Sequence, residues 1–285
     1  MESRPSRRLF HAPNLREICR MTLPATPPPG IALFDMDGTL LAWDCQLLFR
    51  HHVLRAEPLR RFSVPLFLLF LPFAKLLGTE NMKRVFHCFL WKMPPARLTE
   101  LSREFAETLQ PSIYAELKAE LAEHRSAGHL TILSSASPEC YAAEVGRLLG
   151  FDISLGTVLE NHRLFPDLIN HKGANKVTRL KELLPLSYFN NGVLIHSHGY
   201  TDSTADLPML AICNTATVVN PKAQLTALAQ ENGWPILRPE RPWRSPVEKT
   251  WHVLALLLAL GKNPAKLQGK ACRRPPAEPK SSTDH

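Results

Sequence analysis

The sequence predicts an α/β protein with a Rossmann-like parallel sheet, helices on both faces, and a helical cap inserted after the first strand. Short apolar runs typical of buried parallel strands recur at 31–34, 129–133, 191–197 and 216–219. Stretches with helical character separate these runs, and acidic or hydroxyl side chains follow three of them. Open α/β sheets place their chemistry just past the strand ends, so the sequence predicts an active site there.

Composition limits the class of protein. The chain has 285 residues, of which 45% are apolar and 21% charged, as in a globular protein of one large or two smaller domains. Its six cysteines are scattered without a Cys-x-x-Cys pair, which argues against a zinc site and favours a reducing compartment. The net charge of +8 suits an anionic partner such as a lipid surface, and no nucleic acid partner is expected.

The N-terminal segment, residues 1–29, is rich in arginine and proline and lacks periodicity, so it is predicted to be a disordered leader. Twin arginines occur at 7 and 8, but no apolar segment follows them, and export is not expected. The sequence leaves open whether Met1 or Met21 is the natural start.

The first strand, 31–34, runs into Asp35-Met-Asp-Gly-Thr39. Alternation along an extended chain lets Asp35 and Asp37 face the same side. Two carboxylates this close repel each other unless a cation or a shared proton compensates. Asp-Gly is also common in turns, so a purely structural turn is the alternative interpretation.

The predicted cap, 44–128, contains an unusually apolar segment at 62–77. This segment follows several arginines, but it is shorter than the ~20 apolar residues of a membrane span, and Pro65 and Pro72 interrupt it. Two interpretations stay open. The segment is either the buried centre of the cap or an interfacial anchor on an anionic membrane surface.

The second strand, 129–133, leads into Ser134-Ser-Ala-Ser-Pro138 and then a helix over 141–149 that Gly150 should end. Hydroxyl groups just before a helix N-terminus favour phosphate binding, although they could simply cap the helix.

A predicted hairpin over 151–171 is followed by Lys172 and Lys176, near the start of a helix over 177–184. The helix dipole does not favour cations there, so a bound anion could compensate; exposed loop lysines are the alternative. Asp202 and Asp206 follow the strand at 191–197.

Four carboxylates are thus predicted at the ends of two strands, and an all-oxygen cluster of this kind suits Mg²⁺. The catalytic core should comprise 30–43 and 129–240, interrupted by the cap. Residues 241–285 should add an apolar helix and a basic, proline-rich tail.

With these residues in place, the chain resembles the haloacid dehalogenase superfamily of phosphatases. Four motifs match in order over roughly residues 31–238: an acidic pair, a serine, a lysine and a second acidic pair. The helical insert after the first strand is similar to that of the phosphoserine phosphatase branch. Within that branch, the apolar cap segment and the run Gly199-Tyr-Thr-Asp-Ser203 resemble bacterial phosphatases of phosphatidylglycerol phosphate.

The resemblance implies a role for each matched residue. Asp35 would be the nucleophile that forms an aspartyl-phosphate, and Asp37 the general acid and base. Mg²⁺ would be held by Asp35, the main-chain carbonyl of Asp37 and Asp202, with Asp206 in support. The phosphate would be bound by Ser135, Lys176, Gly38 and Thr39, with Ser134 as a competing hydroxyl. Asp44 would meet the substrate from the cap.

The activity that the resemblance implies is Mg²⁺-dependent hydrolysis of a phosphomonoester. The first predicted substrate is a phosphorylated lipid headgroup, such as phosphatidylglycerol phosphate, attacked by an enzyme peripheral to the cytoplasmic face of the inner membrane. The second is a small metabolite such as phosphoserine, attacked by a soluble cytoplasmic enzyme. A non-catalytic binding protein on the same scaffold is the third interpretation.

Overall fold

A mostly parallel sheet lies at the centre of the molecule. The computed structural model describes residue 23 and residues 26–260. The strands are β1 Ile31–Phe34, β2 Leu130–Pro138, β3 Ile153–Glu160, β4 Asp167–Ile169, β5 Phe189–Asn190, β6 Val193–Leu194, β7 Ser197–Thr201, β8 Thr215–Val219 and β9 Ile236–Leu237. Seven of them form one sheet in the order β4-β3-β2-β1-β7-β8-β9, in which only β3 and β4 are antiparallel.

The central strand is β1, as its unbroken apolar run predicts. It pairs in parallel with β2 and β7, so Phe34 lies opposite both Leu133 and Tyr200. Its side chains alternate between two apolar clusters, Phe34 on one face of the sheet and Leu33 on the other. The carboxyl ends of β1, β2 and β7 therefore meet at one edge, and the predicted fold class is confirmed.

Helices cover both faces of the sheet. They are α1 Cys45–Ala56, α2 Ser63–Phe70, α3 Ala74–Phe86, α4 Pro95–Leu109, α5 Ala115–Ser126, α6 Glu139–Leu149, α7 Ala174–Leu183, α8 Leu207–Leu210, α9 Ala223–Glu231 and α10 Pro246–Leu257. Gly150 ends α6 in the left-handed region at φ 79°, as the sequence predicts.

The prediction of a single strand over 191–197 is wrong. Residues 189–194 form the separate two-stranded hairpin β5–β6, and the sheet strand is β7, which begins only at Ser197. Asn191 and Gly192 both have positive φ, 49° and 82°, and this pair makes the tight turn of the hairpin. Asn191-Gly192 therefore marks a hairpin turn and not the start of a strand.

The apolar cap segment is broken and largely exposed. Pro58–Leu90 is long and apolar enough to cross a membrane by length and composition; its most apolar 18-residue window has a mean hydropathy of 1.7, and only 11% of that window is buried. Short 3₁₀ turns separate its helices, and Gly78, at φ 74°, breaks α3. Leu69 and Leu76 are 66% and 86% exposed, so this segment is not the buried centre of the cap.

The predicted boundary between core and cap remains a prediction, because one apolar cluster runs through both. Phe49 of α1 packs on Phe105 of α4 and on Tyr141 of α6. The predicted leader, apart from its last residues, and the predicted basic tail beyond residue 260 lie outside the described residues.

Candidate active site

A buried lysine joins two of the predicted acids. Lys176, in the first turn of α7, places its Nζ 2.7 Å from Asp35 Oδ1 and 2.9 Å from Asp206 Oδ1. The remaining oxygens are also held: Thr39 Oγ1 donates to Asp35 Oδ2 at 3.2 Å, and Thr201 Oγ1 donates to Asp206 Oδ2 at 2.9 Å. Lys176 is only 1% exposed, so one buried cation partly neutralises two buried carboxylates.

Asp37 is held by hydroxyl groups from the neighbouring strand. Ser137 Oγ donates to Asp37 Oδ2 at 2.5 Å, and Ser135 Oγ lies 3.4 Å from the same oxygen. The backbone amide of Cys45, at the start of α1, donates to Asp37 Oδ1 at 2.7 Å. Tyr141 orients Ser137 by donating to its Oγ at 2.8 Å. The whole carboxylate is therefore fixed from two sides.

Ser137 is a site residue that the sequence interpretation missed. The Ser-Pro pair predicts a helix cap at this position, but β2 continues through Pro138. Residues two apart on a strand share a face. Ser135 and Ser137 therefore both face Asp37. Ser134 faces the other way, with its Oγ 2.9 Å from His171 Nε2. Of the two adjacent serines, only Ser135 contacts the acid pair.

Asp202 lies against the turn that carries Asp37. Gly38 has φ 84°, and a Cβ at this position would collide with the Asp202 carboxylate. Among the described residues, none other than Asp202 itself donates a hydrogen bond to the carboxylate of Asp202. The carboxylate therefore has acceptor capacity left for a ligand.

The donor set fits a magnesium ion. Among residues 26–260, no three His, Cys, Asp or Glu side chains enclose a metal position by themselves. Mg²⁺ does not need such a cage, because it keeps several waters and binds one or two carboxylates together with substrate phosphate. Asp35 and Asp202 supply carboxylates of this kind, and the Asp202 carboxylate lies against the turn at Gly38.

The acids carry an excess of buried negative charge. Burial raises the pKa of Asp35 to about 8; Asp206 and Asp37 add to the rise, and Lys176 opposes it. Burial also raises the pKa of Asp202 to about 6, with Asp206 and Asp37 contributing. The site therefore favours a proton or an added cation.

Two residues from outside the catalytic strands approach the site. Asp44 caps α1 by accepting a hydrogen bond from the amide of Leu47 at 3.1 Å, and it borders a cavity that Lys83 and Ala136 also line. Lys83 of α3 donates from its Nζ to Ala136 O at 2.6 Å, with Thr157 Oγ1 and Asn170 Oδ1 at 3.0 and 2.9 Å. Nothing in the sequence singled out Lys83, because its partners come from distant segments.

Buried histidines make stability depend on pH. Burial lowers the pKa of His87 and His171 to about 3, and that of His51 and His124 to about 4. A histidine with a lowered folded-state pKa takes up a proton more readily in the unfolded chain, so its stabilisation is complete above pH 6.5 and lost as pH falls towards 4.

We expect the melting temperature to fall between pH 6.5 and 4.5. Each of the four histidines contributes up to about 1.4 kcal/mol per pH unit, and the raised pKa values of Asp35, Asp44 and Asp202 oppose this only in part. Thermal denaturation across this range measures the slope. His87→Gln should reduce it, whereas His162→Gln on the surface should not. A flat profile would contradict the prediction.

Comparisons with known proteins identify a family of hydrolases. The haloacid dehalogenase-like hydrolase family profile matches residues 32–211. A putative hydrolase of Mycobacterium leprae is 30% identical over 218 residues, covering 72% of this chain and 71% of the relative. Phosphoserine phosphatase SerB1 of Mycobacterium tuberculosis is 29% identical over 256 residues, covering 85% and 80%. A Bordetella pertussis protein of unknown function has a similar fold, with a TM-score of 0.60 at 24% identity, covering 74% of this chain and 98% of that protein.

Proposed function

Since the chain belongs to the haloacid dehalogenase-like hydrolase family and is a phosphatase of that family, we propose that it hydrolyses phosphomonoesters through an aspartyl-phosphate on Asp35. One observation carries this proposal. Lys176 bridges Asp35 and Asp206 in a buried site, beside an Asp37 carboxylate that is fixed by hydroxyl groups. A non-catalytic binding role is not retained.

Asp35 is the proposed nucleophile. One of its carboxylate oxygens attacks phosphorus, and the ester oxygen of the substrate leaves. The contact with Lys176 favours the ionised carboxylate and keeps positive charge beside the phosphoryl group. Acid quenching during turnover, followed by mass spectrometry, should locate the phosphoryl group on Asp35. A phosphoryl group found on any other residue would rule out this assignment.

Asp37 is the proposed general acid and base. It gives a proton to the departing alcohol oxygen and then takes one from the water that attacks the aspartyl-phosphate. Both of its oxygens are already held, by Ser135 and Ser137 on one side and the Cys45 amide on the other, so the carboxylate is oriented before substrate binds.

The remaining groups bind phosphate and metal. Ser135, Lys176, Gly38 and Thr39 are proposed to hold the phosphoryl oxygens. Asp35, the carbonyl of Asp37 and Asp202 are proposed to hold Mg²⁺, with Asp206 in support. When bound, Mg²⁺ would neutralise part of the negative charge of the carboxylates and the phosphate.

The proposed substrate is a phosphorylated lipid headgroup, such as phosphatidylglycerol phosphate, at the cytoplasmic surface of a membrane. The exposed leucines of the cap segment, among them Leu69 and Leu76, support it. Monomeric proteins seldom leave contiguous apolar side chains in water, and a chain of net charge +8 suits an anionic lipid surface.

We expect the protein to float with liposomes that contain phosphatidylglycerol. Replacing both leucines, Leu69→Glu with Leu76→Glu, should move most of it to the lipid-free fraction, because two carboxylates then oppose insertion. Leu186 is a matched control, since it is also 86% exposed but lies outside the cap. Leu186→Glu should float like the wild type. If all of the wild-type protein stayed in the lipid-free fraction, this result would contradict membrane association.

A small phosphorylated metabolite is the second candidate substrate, handled by a cytoplasmic enzyme that does not bind membranes. The similarity to a relative named phosphoserine phosphatase supports it. Asp44 is then the proposed contact for the substrate from the cap. Phosphate release from phosphoserine, lysophosphatidate and phosphatidylglycerol phosphate, measured side by side, separates the two candidates.

A further inference from the structure

A cavity of about 500 Å³ lies between the cap, helix α10 and the end of β2 at Ala136. This size is within the range of roughly 300–1,000 Å³ typical of small-molecule sites. Its walls come from the cap and from the C-terminal helix α10, and they are mostly apolar: Phe67, Leu71, Met82, Phe86, Val253 and Leu257. The part of α10 that carries Val253 and Leu257 is thus one wall of the cavity.

The polar part of the lining is next to residues that contact Asp37. Ala136 lines the cavity and lies between the two serines that contact Asp37. Lys83, which donates to the Ala136 carbonyl, lines the cavity with Lys172, against one carboxylate, that of Asp44. Lys83 makes its three hydrogen bonds to uncharged oxygens, so its positive charge is not cancelled by a carboxylate in direct contact. A ligand with an anionic head and an apolar body matches this distribution of charge.

A buried arginine fixes the apolar walls. Arg50 of α1 is fully buried, and its Nη1 donates to the carbonyl of Leu257 at 2.6 Å. Its guanidinium also lies 5.6 Å from the ring centre of Phe67 and 5.4 Å from that of Phe86. One side chain therefore contacts three wall residues from different segments, Phe67, Phe86 and Leu257. These contacts fix the relative positions of the walls.

We propose that this cavity holds an alkyl or acyl chain of the substrate while the phosphomonoester lies at Asp35. The proposal rests on the proposed function, because it concerns the leaving group of the same reaction. It defines the substrate class as phosphomonoesters that carry an apolar chain. Ala74, Val253 and Leu257 become residues that determine specificity for that chain.

The experiment is a homologous series of monomeric n-alkyl phosphates, from ethyl to decyl phosphate. For the wild type, kcat/KM should rise about two- to fourfold per methylene until the cavity is filled, because each buried methylene gains transfer free energy. Ala74→Trp, which fills the cavity, should abolish this dependence. Lys75→Trp is the matched control, since it adds the same ring at an exposed neighbour that does not line the cavity, and it should keep the dependence.

Two further measurements exclude misfolding as the cause and separate binding from turnover. Val253→Phe fills the cavity from the opposite wall and should act like Ala74→Trp, which excludes misfolding of one variant as the cause. Calorimetry on Asp35→Asn should show tighter binding of decyl than of ethyl phosphate, and Ala74→Trp in that background should remove the difference.

The outcomes separate the two proposals. Equal binding of the two phosphates, or a chain-length dependence that survives both cavity-filling variants, overturns the cavity proposal. Preferential binding of decyl phosphate without hydrolysis of any ester supports the cavity and contradicts the proposed function.

Discussion

Asp35→Asn is expected to lower kcat on an aryl phosphate by on the order of 10⁴-fold or more while the fold persists, because removing a nucleophile eliminates the covalent route. The amide has the shape of a protonated carboxyl group, a form that burial already favours at this position by raising its pKa. Thermal denaturation should show no loss of stability. Steady-state phosphate release, with acid-quench labelling of the enzyme, measures the effect.

Asp37→Asn is the matched control for this variant. It should lower kcat by about 10²-fold or more, as expected for the loss of an acid–base group, yet still accumulate phosphoenzyme from a substrate with a good leaving group. Asp35→Asn should accumulate none. Near-wild-type turnover by Asp35→Asn, or phosphoenzyme in both variants, would show that the nucleophile lies elsewhere.

Lys176→Met is expected to have the largest effect on stability. It removes the partner of two buried carboxylates, and breaking a buried ion pair from one side costs about 3–5 kcal/mol. Without the cation, the pKa of Asp35 should rise further above about 8, and the folded state should keep a proton that the unfolded state has lost. The loss in the free energy of unfolding should therefore grow from pH 7 to pH 9, as pH rises through the wild-type pKa of Asp35.

The control for this experiment is Lys181→Met, on the same helix but exposed to solvent. It removes an equal charge without breaking a buried pair, so its effect should stay within about 0.5 kcal/mol. Urea denaturation at both pH values compares the variants. A similar loss for both lysines, or a loss independent of pH, would mean that the buried bridge contributes little.

The sheet was predictable because its strongest signals are local. The unbroken apolar run of β1 and the residues that follow it depend only on neighbours in sequence, and parallel pairing then brings distant strand ends together. Ser137 could not be assigned in the same way. Whether Ser-Pro ends a strand or caps a helix depends on pairing with β3, which is a tertiary contact.

The cap was less predictable for a related reason. An apolar run such as 62–77 has the same composition whether neighbours cover it or not, so its exposure is visible only in the fold. Lys83 illustrates the same limit. Its contacts with Ala136 and Asn170 join residues 53 and 87 positions apart, and no periodicity reports such pairs.

The absence of a side chain at Gly38 has a consequence for how freely this protein can diverge. The Asp202 carboxylate rests where a methyl group would otherwise stand, and the backbone at Gly38 has φ 84°, so any other residue would displace that carboxylate and strain the turn. Surface positions can drift through many residue types, but this one strongly favours glycine. Its identity is dictated by an acid more than 160 positions further along the chain.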